Sequence, residues 1–182
     1  MNLETIKTDR LILRKFSPSD FIYLFENYSD EEIKQTLGHS SHEEFLIERS
    51  KYEKGYTNFN RSFEHFQVVD QTSMNSIGSC KFHNRDVAHR RAELGYSITN
   101  ESFKGLGIMS ETLKIVIDYG FNEMNLHRIE AFVGTRNIPS LKLMAKFNFV
   151  KEGLLREHYF INQKFEDSLV ISKLLSEYTS EV

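Results

Sequence analysis

Lys104-Gly105-Leu106-Gly107-Ile108-Met109-Ser110-Glu111 is the stretch whose reading decides the fold of this chain. Two glycines stand where one periodicity gives way to another. Before them, Ala92-Glu93-Leu94-Gly95-Tyr96-Ser97-Ile98 alternates as a strand does, with Ala92, Leu94, Tyr96 and Ile98 on one face and Glu93, Gly95 and Ser97 on the other. After them, Met109, Leu113, Val116, Ile117, Gly120, Phe121 and Met124 recur at spacings of three and four, which predicts a helix with one buried face. Arg128 to Val133 then reads as a strand again, so the unit is strand, loop, helix, strand, and it favours parallel pairing. Gly105 and Gly107 let the backbone take positive φ and let a ligand approach the main chain. The helix start behind them offers unpaired N–H groups and the positive end of a dipole, so an anion such as pyrophosphate is the natural guest.

Other glycine loops fit less well. A nucleoside triphosphatase loop ends Gly-Lys-Ser/Thr, and here Ile108-Met109 follows Gly107. A dinucleotide fingerprint needs a third glycine where Ser110 stands, within an alternating parallel fold. A turn and helix cap without a ligand is the plain alternative.

Outward from the loop, three strands read as an antiparallel meander: His65 to Asp70, Ser76 to Phe82 and Ala92 to Ile98. Arg10 to Arg14 is an earlier strand. Ser17 caps a helix whose first position is Pro18, with Phe21, Leu24 and Phe25 as its apolar stripe. Ser41 and Glu44 mark a second helix start, and Gly55 its stop. A short helix from about Pro139 to Phe147 precedes a hairpin, Val150 to Ile161 and Lys164 to Lys173, turning at Asn162-Gln163.

The bulk numbers exclude several classes. At 182 residues the chain is read as one domain over 1–182. Its 40% hydrophobic and 27% charged content is that of a globular protein, and a net charge of −3 with scattered basic residues argues against nucleic acid as a partner. No apolar run approaches the ~20 residues of a membrane span, and no signal-like start is seen. Cys80 is alone, so a reducing, cytoplasmic location is expected. His39 and His42 are three apart without further ligands, so no metal is expected. Cys80 reads as an apolar strand residue, Tyr52 and Tyr56 as packing, and Phe59, Phe63 and Phe66 as core or cleft wall.

Taken in order, these segments resemble the GNAT superfamily of N-acetyltransferases. Thr8-Asp9-Arg10-Leu11-Ile12-Leu13-Arg14 is similar to the opening of the branch holding the ribosomal-protein N-terminal acetyltransferases of RimJ/RimL type. Glu93-Leu94-Gly95-Tyr96, the glycine loop, Asn137-Ile138-Pro139-Ser140, Lys146-Phe147-Asn148-Phe149 and Glu152-Gly153 follow at matching spacing. The resemblance implies an α+β fold: a mixed, mostly antiparallel sheet of about seven strands flanked by helices and splayed between the fourth and fifth. It implies acetyl-CoA in that splay, with pyrophosphate on the backbone of Phe103, Lys104, Gly105, Leu106, Gly107 and Ile108. Pantetheine would pair with Tyr96, Ser97 and Ile98 and reach Asn137 and Met144. Backbone N–H groups near Ile98 would meet the oxyanion. Where relatives often carry Arg or Gln, Ser102 stands.

The implied reaction is direct attack of a primary amine on acetyl-CoA in a ternary complex. Glu93 is the expected base, sharing its face with the small Gly95 and Ser97; its rival reading is a solvated residue or an ion pair with Arg90 or Arg91. Relatives place a tyrosine acid where Met144 stands, and the RimJ/RimL type offers a serine instead, here Ser140, whose plain reading is a helix first-turn residue. Tyr159 stands where related enzymes present a carboxylate to the substrate. Asn148, replacing a glycine, is expected in the left-handed region. The branch implies a protein N-terminal amine as acceptor and a homodimer as assembly. A small-molecule amine (polyamine, amino sugar or toxin) and a non-catalytic acyl-CoA-binding module are the alternatives.

Overall fold

A computed structural model describes residues 1–39, 41–56 and 62–179. Among the described residues, nine elements precede the glycine loop's helix. Strands β1 (Thr5–Lys7) and β2 (Leu11–Phe16) lead into helices α1 (Pro18–Asn27), α2 (Asp30–Leu37) and α3 (His42–Lys54). Strands β3 (Ser62–Asp70), β4 (Ser76–Asp86) and β5 (Arg91–Ile98) follow, then a 3₁₀ turn at Glu101–Phe103 and helix α4 (Ile108–Asn122). The rest comprises β6 (Arg128–Gly134), α5 (Ile138–Lys146), β7 (Val150–Ile161), β8 (Lys164–Leu174) and α6 (Leu175–Thr179). The eight strands form one sheet in the order β1-β2-β3-β4-β5-β6-β8-β7.

All neighbours are antiparallel except β5 and β6, which the α4 crossover makes parallel. Those two share three rungs, Arg91 with Arg128, Ala92 with Ile129 and Glu93 with Glu130, and then part. β6 instead pairs along its whole length with β8, from Arg128 opposite Leu174 to Gly134 opposite Ser168. The expected splay is therefore present. Counting β1, it lies between the fifth and sixth strands of eight, not the fourth and fifth of seven.

Alternation sends the two sheet faces to different cores. Leu11, Leu13, Phe66, Val68, Cys80, Phe82, Ala92 and Leu94 meet Met109, Leu113, Val116 and Ile117 of α4, and Met144 of α5 joins the same cluster. α4 lies so close to β4 that a Cβ on Gly120 would stand 2.6 Å from Phe82. On the other face Phe16, Phe21, Leu24, Ile33 and Phe45 form a smaller core under α1–α3. Phe63 packs against that smaller core and Phe66 lies in the larger one; Phe59 falls outside the described residues.

Local signals account for the helix ends. Ser17 accepts from the Asp20 N–H and Asp20 from the Ser17 N–H, with Pro18 in the first turn, and Ser41 accepts from the Glu44 N–H at 3.2 Å. α2 is an addition to the expected elements, although its signal is present: Ser29 and Glu32 form a reciprocal capping box. Asn148 takes φ +56°, as expected.

Candidate active site

The parting of β5 from β6 leaves backbone with nothing to bond on that side. From Leu94 to Ile98, β5 pairs only with β4 (Phe82 opposite Leu94, Gly78 opposite Ile98). Ala131 to Gly134 likewise pair only with β8. Such an edge accepts an extended amide chain as it would another strand. Five residues, Leu94 to Ile98, set the open edge at about 13 Å.

At the top of this edge lies the glycine loop. Gly105 and Gly107 have φ of +76° and +78°, and a Cβ on Gly105 would meet nothing within 4 Å. Gly107 is the N-cap of α4 and supplies no side-chain hydrogen bond, so the first-turn N–H groups keep their capacity for an outside acceptor. An open loop, an uncapped helix start and an unpaired strand edge in one line fit a phosphate-bearing arm such as that of CoA. Lys104 is paired to Glu101 at 2.5 Å on the surface. Ser102 turns its hydroxyl back to Asn100 Oδ1 at 2.7 Å.

The loop is held from the far end of the chain. Arg10 donates from Nη1 to the Leu106 carbonyl at 3.1 Å and from Nε to Glu111 at 2.9 Å, and the Thr8 hydroxyl donates to the same carboxylate at 2.5 Å. Burial works to raise the Glu111 carboxyl, but the Thr8 and Arg10 hydrogen bonds outweigh it and hold the group below its ordinary value. The Thr8-Asp9-Arg10 opening thus buttresses the loop. Sequence reasoning missed this, because about a hundred residues separate the partners and no periodicity links them.

Glu93 occupies the last rung before the strands part. Its side chain is 13% exposed; one oxygen lies 3.2 Å from His83 Nε2 and the other accepts from Asn84 at 2.9 Å. The rival pairing does not form, since Arg90 binds Asn125 and Arg91 binds Glu130. Burial lowers the His83 pKa, against the pull of Glu93 and with the push of Lys81. Burial thus disfavours the charged imidazole, which stands 3.2 Å from the carboxylate. Burial raises Tyr159, and the charge of Glu93 adds to that, so β7 brings Tyr159 within electrostatic reach of the carboxylate.

A cavity of about 400 Å³ opens on the sheet face that Glu93 shares, between α2–α3 and β3–β4. His65, Gln67, Ser79, Lys81, His83 and the Glu48–Lys51 ion pair line it, among others. His65 is pushed down to about 4 by burial, so it is neutral there. Gln67 Oε1 and His39 Nδ1 are buried and lack hydrogen-bond partners, which leaves an amide oxygen and a ring nitrogen in the wall for a polar guest.

Across the gap, α5 presents its first turn. Asn137 is the N-cap, accepting from the Ser140 N–H at 3.2 Å. Ser140 is a first-turn residue, and its hydroxyl meets the Tyr96 phenol at 2.5 Å. Met144, 1% exposed, lies in the core and acts there as packing. Cys80 is fully buried, and burial pushes its thiol well above the ordinary range, so it is no nucleophile. Among the described residues no group of three or more potential ligands could hold a metal, and no helix is long and apolar enough to cross a membrane.

Residues 10–150 match the model of the acetyltransferase (GNAT) domain. The uncharacterized N-acetyltransferase p20 of Bacillus licheniformis is 33% identical over 97% of this chain and 99% of its own. Among solved structures, the spermidine/spermine N-acetyltransferase SpeG of Vibrio cholerae superposes with a TM-score of 0.71 at 26% identity, covering 94% of this chain and 96% of that one. The ribosomal-protein-S5-alanine acetyltransferase of Vibrio fischeri gives 0.67 at 25% identity, over 96% and 98%.

Proposed function

The chain belongs to the GNAT family of acetyltransferases, and we propose that it moves acetyl from acetyl-CoA directly to a primary amine of a small molecule. The observation that carries this reading is the position of Glu93. It stands at the apex of the β5–β6 gap, on the sheet face that holds the cavity of about 400 Å³. CoA would lie along the open edge at Tyr96, Ser97 and Ile98, with its pyrophosphate over Phe103 to Ile108 and its arm beside Asn137. The acceptor amine would arrive from the opposite face.

An alkylammonium, with a pKa near ~10, must lose a proton before it attacks. Glu93, oriented by His83 and Asn84, is placed to take that proton directly or through water. Small neighbours keep the way open, for Gly95 and Ser97 share this face. Main-chain N–H groups near Ile98 would meet the carbonyl oxygen as charge develops on it.

The cavity also bears on the acceptor. SpeG of Vibrio cholerae is named for spermidine and spermine, and that relationship supports a small amine. Yet within the cavity the carboxylates of Glu44 and Glu48 are matched in number by the ammonium groups of Lys51 and Lys81, and Glu48 is already paired with Lys51. A polyamine with three ammonium groups would enter such a site without the acidic excess that offsets desolvation. An amine of lower charge, bearing a donor for Gln67 Oε1 and a polar group for His39, fits better.

One observation favours a protein acceptor as second reading. Phe160 and Phe165, each 64% exposed, pack at 4.9 Å on the tip of the β7–β8 hairpin, the kind of apolar spot that a polypeptide covers. The Vibrio fischeri neighbour, named for ribosomal protein S5, agrees with it.

The test is thiol release from acetyl-CoA against a panel of polyamines, amino sugars, amino acid amides and N-terminal peptides. Turnover with small amines supports the first reading, and turnover confined to peptides overturns it in favour of the second. Tight CoA binding with no turnover on any acceptor would sink the transfer reading altogether.

A further inference from the structure

We infer that Tyr96 supplies the proton for the departing thiolate, passing it through the hydroxyl of Ser140. The inference rests on the acetyl-transfer reading above. It begins with strand parity: Glu93 and Tyr96 are three residues apart on β5, so they leave the sheet on opposite faces about 10 Å apart along the strand. Glu93 lies on the sheet face that holds the cavity, opposite His83 of its wall; Tyr96 turns toward α4 and α5, where it packs against the larger core. Its phenol then crosses the gap to meet Ser140 Oγ at 2.5 Å, in the first turn of α5.

Reaction geometry needs this division. The amine approaches one side of the thioester, and the sulfur must find a proton away from the group that has just taken one. Tyr96 belongs to the open edge, Leu94 to Ile98, along which the CoA arm would lie. The Tyr96–Ser140 bridge therefore spans the gap beside the reacting end of that arm. One turn further along α5, Met144 has no proton to give.

The step balances. The amine nitrogen bonds to the acetyl carbon, and the C–S bond breaks with its electron pair going to sulfur. Ser140 Oγ–H gives its proton to that sulfur and takes the phenolic proton of Tyr96. The proton shed by the amine is collected on the Glu93 side, and water returns one to the phenolate. Burial raises the Tyr96 pKa, against a smaller lowering by its Ser140 bond, so the phenol enters each cycle protonated across the neutral range.

Tyr96→Phe, Ser140→Ala and the double variant test this against a purely structural latch. Three readouts apply: kcat, CoA affinity by calorimetry, and the pH midpoint of the ultraviolet thiolate absorbance of bound CoA. Each single variant should lower kcat about 100-fold, with the double little worse, because the two hydroxyls act in series. CoA affinity should hold within about threefold. The thiolate midpoint should rise by about one pH unit in Ser140→Ala, which loses the hydrogen bond to the thiolate, and should also rise in Tyr96→Phe, where Ser140 loses the phenol that donates to it and strengthens that bond.

Unchanged kcat and an unmoved midpoint in a folded Tyr96→Phe would overturn the assignment and leave the pair as a latch. Should that variant unfold, Ser140→Ala carries the same expectations. The titration needs no acceptor. It therefore judges Tyr96 even where a silent wild type has already sunk the transfer reading.

Discussion

Arg10 ties the glycine loop to the sheet, so removing it isolates what loop order contributes to CoA binding. In Arg10→Ala, the Leu106 carbonyl loses its 3.1 Å donor and Glu111 loses guanidinium contacts at 2.9 and 2.5 Å. The Arg10 and Glu111 side chains are 49% and 24% exposed, so solvent screens the ion pair and keeps it far below the value of a buried one. A charged hydrogen bond plus a screened, two-pronged carboxylate contact amounts to about 1–2 kcal/mol. Little of that should fall on global stability, because α4 is anchored independently by Leu113, Val116 and Ile117 in the core. The loss should fall on the loop, whose main chain must be ordered before it can bind pyrophosphate. Calorimetric titration with CoA should therefore show affinity about 5–30-fold weaker. At saturating acetyl-CoA, kcat should stay within about twofold of wild type, and the melting temperature of the free protein should drop by no more than about 4 °C. Unchanged CoA affinity beside a large fall in melting temperature would refute the buttress role and make Arg10 a fold residue. A fall in kcat at unchanged affinity would equally refute it.

Three further outcomes are expected. Gly105→Val should lose CoA binding by 100-fold or more, on the order of 3 kcal/mol, with the secondary structure intact by circular dichroism. Nothing lies within 4 Å of a Cβ there, so the penalty comes from φ +76° and from blocked approach of the ligand; retained affinity would remove the loop from the site. Glu93→Gln should lower kcat about 100-fold or more, leaving CoA affinity alone, and an unchanged rate and pH profile would exclude it as base. His65 is held near pKa 4 in the fold, against an ordinary value of about 6.5. The unfolded chain therefore binds the extra proton first as pH drops, and stability present above about 6.5 is lost down to about 4, by up to ~3 kcal/mol. Urea unfolding across that window should show the slope, and His65→Gln should flatten it; equal slopes in both proteins would exclude His65 as the source.

Much of the fold could be read from the chain because its signals are local. The glycine pair, the three-and-four spacing of α4 and the alternation of β5 each lie within a few residues of one another, and they gave the strand, loop, helix and parallel strand that are found; the gap itself was implied only by the family resemblance. β1 escaped because three residues with exposed ends, Thr5 to Lys7, carry no alternation to detect. α2 escaped for a different reason: one buried residue, Ile33, makes no stripe, so only the capping box at Ser29 and Glu32 announced it. Contacts within the site obey neither kind of signal. Arg10 meets Glu111 across 101 positions and Tyr96 meets Ser140 across 44, and no spacing rule spans such distances. Glu93 shows where the boundary lies. Alternation alone predicted its face and its small neighbours, while the nearby Arg90 and Arg91 suggested the wrong partners. His83 stands opposite Glu93 in the regular β4–β5 register, and the bulge that follows it brings Asp86 opposite Arg91. A carboxylate that follows two arginines in sequence is thereby left with an imidazole and an amide in space. That substitution matters for positioning: Asn84 donates to one carboxylate oxygen at 2.9 Å and His83 stands 3.2 Å from the other, so the side chain is oriented on the face that holds the cavity.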